Sequence, residues 1–244
     1  MSLFPPHEVY DEPFLGAGSV LLNKTPAPVE VAGDVNSNLI TTFITLRDCP
    51  TSVIEALRNT PYTRDAFVAA FYRISRDLYN CPIERTVDFI VKNRMSRGGL
   101  GKTFAWSDRL RGGKPGDLNA WQTIQDELHA IAERVRNVTF GCVPAAKLIT
   151  EYDSPETLHY LDPPYLHETR TARKAYEHEM TREDHVALLE KVLRCRGHVF
   201  ISGYRSDLYD TLLAGWRRRE WELPNHSGQG VKKQRRVECL WSNT

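Results

Sequence analysis

Apolar positions along this chain alternate between two periods, and the alternation predicts a layered α/β fold. Glu8 to Phe14 reads as a strand running into the stretch EPFLGAGS; a short helix then extends through Leu22, and VEVAG forms a second strand ending at Asp34. That order opens a strand–helix–strand unit. Ile40, Phe43, Ile44 and Arg47 keep helical spacing, as do Phe67, Phe71, Ile74 and Leu78 behind a Thr63 N-cap. A third helical pattern covers Thr86 to Met95, and Asn119 is expected to cap a helix presenting Trp121, Ile124, Leu128, Ile131 and Val135 on one face. Strands VTFGCV and LHYLDP follow. Thr181 with Asp184 makes a capping-box start for a helix carrying Val186, Leu189, Val192 and Leu193, and GHVFISGY is another strand.

Two last strand candidates, around Arg219–Leu223 and Val237–Trp241, predict a closing hairpin. Strands alternating with helices imply a mostly parallel sheet, and the hairpin adds an antiparallel edge. Helices and a glycine-rich loop interrupt the alternation between Pro50 and Gly116. The expected organisation is therefore one α/β domain from residues 1–49 and 117–244, with residues 50–116 as an insertion.

Composition excludes some classes. The 244 residues are 41% apolar and 26% charged with net charge +1, ordinary for a globular protein, and no apolar run approaches membrane-spanning length. The N-terminus MSLFPPHEVY has no basic region followed by an apolar core, so a cytoplasmic location is expected. Five scattered cysteines without a Cys-x-x-Cys pair argue against a disulfide framework or a structural zinc site, and no metal is expected.

Charge is uneven, however. From Val91 to Asp117, Lys92, Arg94, Arg97, Lys102, Arg109, Arg111 and Lys114 stand against Asp108 and Asp117, and 7 − 2 gives +5. Alone, such a run reads as solvated surface. Interleaved with glycine, Phe104 and Trp106, it suits a groove that follows phosphates. GGLGKT within it looks like the end of a nucleotide-triphosphate loop, but Ser96 stands where that pattern needs glycine and the preceding residues read helical.

Two motifs carry chemistry. Phe14-Leu15-Gly16-Ala17-Gly18 falls where the first strand turns into a helix, the place where backbone approaches a ligand in such sheets. Asp34 ends the second strand, where an acid commonly binds a ribose hydroxyl. A full dinucleotide fingerprint fails because Leu21 occupies its third glycine position. Together these residues favour an adenosine-type ligand over an empty turn. The second motif, Asp162-Pro163-Pro164-Tyr165, must end its strand, since proline lacks an N–H and fixes φ. A stiff loop of this kind serves equally as a plain turn or as a site. As a site, the Asp162 carboxylate and the Pro163 carbonyl would hold the two N–H bonds of an exocyclic base amine and direct its lone pair at an electrophilic methyl. Tyr165 would stack on the flipped base.

DPPY together with EPFLGAGS, in this order and with a basic insertion between them, resembles the Dam-type DNA adenine-N6 methyltransferases, particularly phage and prophage members. GDVNSNLI, HEMTREDHVALLEKV and GHVFISGYRSDLYDTLLAGW extend the resemblance over essentially the whole chain. It implies a Rossmann-like methyltransferase sheet with an antiparallel C-terminal hairpin and a target-recognition insertion. It further implies S-adenosylmethionine as methyl donor, held by residues matching Phe14, Gly16, Gly18, Asp34 and Asp162. Catalysis would fall to Asp162, Pro163, Pro164 and Tyr165, and double-stranded DNA would be held by Arg97, Lys102, Arg109, Arg111 and Lys114. Such an enzyme is expected to act as a monomer in a bacterial or phage-infected cell, with room for a restriction endonuclease encoded elsewhere.

The family's opening aromatic-x-Gly-Gly-Lys segment is missing before Tyr10, so weakened donor binding is expected. RGGKPG at Arg111–Gly116 lacks the aromatic and lies in the insertion. Two alternatives stay beside the main reading: a catalytically impaired DNA-binding remnant, and a cytosine-N4 methyltransferase. Cytosine-C5 chemistry needs a cysteine nucleophile, and neither Cys49 nor Cys81 lies in a suitable loop.

Overall fold

The computed structural model describes residues 3–107, 110–111, 113–169, 178–224 and 235–244, with the side chains of 110, 111, 114, 115, 223, 224, 235 and 236 outside that description. Its elements run β1 (Val9–Glu12), α1 (Ser19–Asn23), β2 (Val29–Gly33), α2 (Ser37–Asp48), α3 (Pro50–Arg58), α4 (Arg64–Arg76) and α5 (Pro82–Arg94). A 3-10 turn (Arg97–Gly99), the two-residue strands β3 (Leu110–Arg111) and β4 (Lys114–Pro115), and α6 (Gly116–Arg134) come next. The chain then continues through β5 (Val138–Gly141), α7 (Ala145–Tyr152), β6 (Thr157–Leu161), α8 (Arg182–Val192), β7 (His198–Tyr204), α9 (Asp207–Leu212), β8 (Arg217–Pro224) and β9 (Arg235–Ser242).

The main sheet has seven strands in the order β5-β2-β1-β6-β7-β9-β8. Strand β1 pairs in parallel with β2 and with β6, and β6 pairs in parallel with β7. The antiparallel edge is the β8–β9 hairpin, joined to β7 through β9. This is the mixed sheet that the alternating pattern predicts.

Two compact units divide the chain, Met1–Val35 with Gly141–Thr244 and Asn36–Phe140. The break comes earlier and the return later than the expected 49 and 117. Helices α2 and α6 explain the difference, because both pack against α3 and α2 also packs against α5. In the sheet unit, Leu161, Val199, Ile201, Cys239 and Trp241 from the strands pack on Leu188, Leu189 and Val192 of α8. In the helical unit, Val53, Ile54 and Leu57 of α3 bury against Ile90, Val91, Trp121 and Leu128. Each fully buried aliphatic side chain contributes about 1.5–3 kcal/mol relative to exposure.

Two of the three caps read from sequence are present. Thr63 accepts from Ala66 N at the start of α4, and Thr181 and Asp184 form the reciprocal box that opens α8. Asn119 differs: it lies inside α6, which begins at Gly116, and its carbonyl accepts from Thr123. Leu78 falls beyond α4, which ends at Arg76 and is capped by Asp77 in a left-handed conformation with φ of 51°.

Candidate active site

The site is assembled where β1, β2 and β6 end. Because these strands are parallel neighbours, their carboxyl ends share one edge, and the loops that leave it face one another. Beyond β1 comes the turn Phe14–Gly18. Gly16 and Gly18 take φ of 48° and 67°, the left-handed region that a side chain disfavours. The turn is stitched to the end of β2: Leu15 N donates to Gly33 O at 2.8 Å and Gly16 N to Asp34 Oδ2 at 3.1 Å. A methyl group built on Gly16 would meet nothing within 4 Å, so the turn's outer side is open to a ligand.

Asp162 is the first residue after β6. Ser202 of the neighbouring β7 brings its hydroxyl to 2.6 Å from Asp162 Oδ1 and 3.1 Å from Leu161 O. Tyr165 donates to Glu238 of β9, and its ring meets Tyr204 edge-on with centroids 4.6 Å apart. Asp162 is exposed and Pro163 buried, which places the aspartate at the surface of this edge rather than in the core. Surrounding protein raises the Asp162 pKa, hydrogen bonds from Ser202 and Tyr165 oppose that shift, and the Glu238 carboxylate adds to it.

A second acid stands beside it. Glu12, the last residue of β1, is 2% exposed and accepts from the Tyr10 hydroxyl at 2.6 Å. Burial pushes its pKa up to about 7, the Tyr10 and Leu21 N–H hydrogen bonds oppose the shift, and nearby Asp162 reinforces it. Lys24 lies over the Tyr10 ring at 4.2 Å and pairs with Glu30 at 2.6 Å. Its charge is therefore engaged within the unit.

Phe14, Gly16, Gly18, Asp34 and Asp162–Tyr165 are thus all brought to one edge. Ser202, Glu238 and Glu12 join them, and sequence reasoning passed over all three. Ser202 had a weak signal, a hydroxyl inside the apolar run VFIS, while Glu12 sat unremarked inside EPFLGAGS.

The basic candidates belong to the helical unit. Arg97 and Lys102 are exposed there. Their loop is better ordered than a structureless glycine-rich segment: Ser96 bridges to Phe104, Arg97 N donates to Thr103 O at 2.8 Å and Gly101 N to Ser96 Oγ at 2.7 Å. Phe104 packs on Tyr62 and Phe67, and Trp106 is 54% exposed. Arg109 lies outside the described residues, as do the side chains of Arg111 and Lys114.

Comparison with known proteins decides the family. Residues 1–214 match the model of the D12 class N6 adenine-specific DNA methyltransferases. The chain belongs to that family. A "DNA adenine methylase" of Salmonella typhi is 30% identical over 229 residues, covering 89% of this chain and 76% of the relative. The protein of the same name from Escherichia coli is 29% identical with the same coverage. "Type II methyltransferase M.MjaIII" of Methanocaldococcus jannaschii is 26% identical, covering 85% of this chain and 78% of the relative. As a D12-class chain, it carries its Asp-Pro-Pro-Tyr loop and its glycine turn on one unit and its most basic segment on the other.

Proposed function

We propose that this N6-adenine DNA methyltransferase takes its methyl group from S-adenosylmethionine and acts on an adenine flipped out of double-stranded DNA. The open face over Gly16 and the adjoining Asp34 carboxylate fit the adenosine half of that donor. Phe14, Gly16, Gly18, Asp34 and Asp162 would hold it, and it supplies an electrophilic methyl.

The protein's own part is orientation. An exocyclic amine is a poor nucleophile while its lone pair is delocalised into the ring. Accepting its two N–H bonds at the Asp162 carboxylate and the Pro163 carbonyl favours a tetrahedral nitrogen and frees the lone pair. Pro163 and Pro164 fix that pair of acceptors, and Ser202 holds one carboxylate oxygen. Ionised, Asp162 accepts both from Ser202 and from the amine with a full carboxylate. Tyr165, braced by Glu238 and Tyr204, offers a ring for the base. The helical unit, with exposed Arg97 and Lys102, would recognise DNA through its backbone phosphates.

The observation that carries this reading is the Ser202-braced Asp162 beside the glycine turn. Its test is transfer of a radiolabelled methyl group to unmethylated DNA, followed by digestion to nucleosides. Label in N6-methyladenine supports the reading. Label in cytosine, or none, overturns it.

A further inference from the structure

Away from the strand ends, a second cluster of polar groups joins buried residues of β1 and β6 to half-buried ones in the segments that follow α7 and α8. His159 of β6 and Asp11 of β1 are register partners, and both are 0% exposed. His159 Nδ1 meets Asp11 Oδ2 at 2.7 Å. Its Nε2 is buried without a hydrogen bond and faces Asp153 Oδ1 at 3.5 Å. Cys195, in the turn between α8 and β7, completes a triangle whose ligand atoms all lie within 4.8 Å of one another.

We infer that Asp153, His159 and Cys195 form a binding site for a borderline-soft divalent cation such as zinc or cobalt. Three features argue for it. Carboxylate oxygen, imidazole nitrogen and thiolate sulfur are the donor types a tetrahedral zinc takes. Zinc bonds of about 2.0–2.3 Å place tetrahedral ligand atoms roughly 3.3–3.7 Å apart, so the histidine–aspartate pair already has the spacing and the sulfur must close by about 1.5 Å at most. Asp11 binds the opposite ring nitrogen, the carboxylate–histidine arrangement that orients an imidazole toward a metal.

The oxygen is held in place as well, since Asp153 accepts from Arg196 N at 2.9 Å and Gly197 N at 3.1 Å. The Arg196 side chain is 65% exposed; it reaches the Asp153 main-chain oxygen at 2.7 Å and its Nε stands 3.8 Å from Asp153 Oδ2, an ion pair at the solvent side that a bound cation would have to loosen. Water would fill a fourth position. The role is structural: the ion would tie the α7–β6 link and the α8–β7 turn to β6, three residues before Asp162.

Metal-free full-length protein, prepared with a chelator, would be titrated with Co²⁺ and Zn²⁺. One equivalent of Co²⁺ giving a sulfur-to-cobalt charge-transfer band is expected, with zinc raising the melting temperature. Cys195→Ser should remove the band and weaken affinity at least tenfold. Asp153→Asn should weaken affinity with the band retained at saturation. Because His159→Gln alters a buried residue, Cys195→Ser and Asp153→Asn carry the test. S-adenosylmethionine affinity should stay unchanged in both. No stoichiometric uptake overturns the inference, as does an undiminished band in Cys195→Ser, which would trace the metal to exposed Cys49 or Cys142.

Discussion

Asp162 and Glu12 in the sheet unit and Arg97 and Lys102 in the helical unit are charged groups under opposite conditions. The acids stand at the ends of neighbouring strands and are braced by hydroxyls, Glu12 buried and Asp162 at the surface but partly desolvated, and both have raised pKa values. The two cations sit on an exposed glycine-rich loop, open to water and salt. Chemistry needs fixed, partly desolvated groups whose interactions are strong at short range. Attraction to a phosphate backbone needs only charge at an accessible surface. The acids should therefore respond to substitution in rate and pH dependence, and the cations in salt dependence.

The largest effect should come from Asp162→Ala. Losing one acceptor at the reacting amine should lower methyl transfer by about a hundredfold or more. DNA affinity by fluorescence anisotropy should change little. Retention of most activity would remove Asp162 from the mechanism.

Glu12 sharpens the contrast through stability. A carboxylate raised from 4.5 to about 7 keeps its proton in the fold while the unfolded chain loses one. Its favourable contribution is complete below pH 4.5 and is lost as pH rises through about 7. Glu12→Gln keeps an acceptor for Tyr10 without the charge. Above pH 7 it should therefore be more stable than the parent, by up to about 3 kcal/mol. Near pH 4 the two should unfold together. Melting curves that run parallel across this range would show that burial of Glu12 carries no ionisation cost.

Ser202→Ala tests the brace on Asp162. The hydroxyl lowers the Asp162 pKa, so its removal should raise that pKa further. The acid limb of the rate profile should move to higher pH, and the rate on the plateau should fall about tenfold. An unmoved limb would mean that Asp162 does not set it.

The smallest effect should be seen at the exposed cations. Arg97→Glu and Lys102→Glu should each weaken DNA binding only a few-fold near physiological salt. Each should reduce the slope of log affinity against log salt by about one. An unchanged slope in the double variant would return this loop to ordinary solvated surface.

What sequence reading delivered, and where it stopped, follows from the range of the interactions involved. Thr63 and the Thr181–Asp184 pair act over three residues, so their caps were legible. The turn Phe14–Gly18 and the rigid Asp162 loop were legible too, because glycine and proline state their backbone demands locally. Ser202 and Glu238 were not, since they meet Asp162 and Tyr165 only once β7 and β9 take their places in the sheet. The compact units divide elsewhere than at 49 and 117 for a related reason: helix α2 has the apolar spacing of either a sheet-covering or a bundle helix. Its packing against α5, with Arg85 Nε reaching Asn38 Oδ1 at 2.7 Å, decides between them.

The chain leaves the sheet unit after Val35 and re-enters it at Gly141. Those two points are neighbours in space: Asp34 N donates to Gly141 O at 3.2 Å, and the Cys142 thiol lies 3.7 Å from Val35 O. A graft between these points leaves little loop to close and keeps β1, β2, β6 and β7 in register, but it must bring its own Val138–Phe140 to complete β5. Replacing residues 36–140 between these two points would leave β1, β2, β6 and β7, with the Phe14–Gly18 turn and the Asp162 loop, in one unbroken unit.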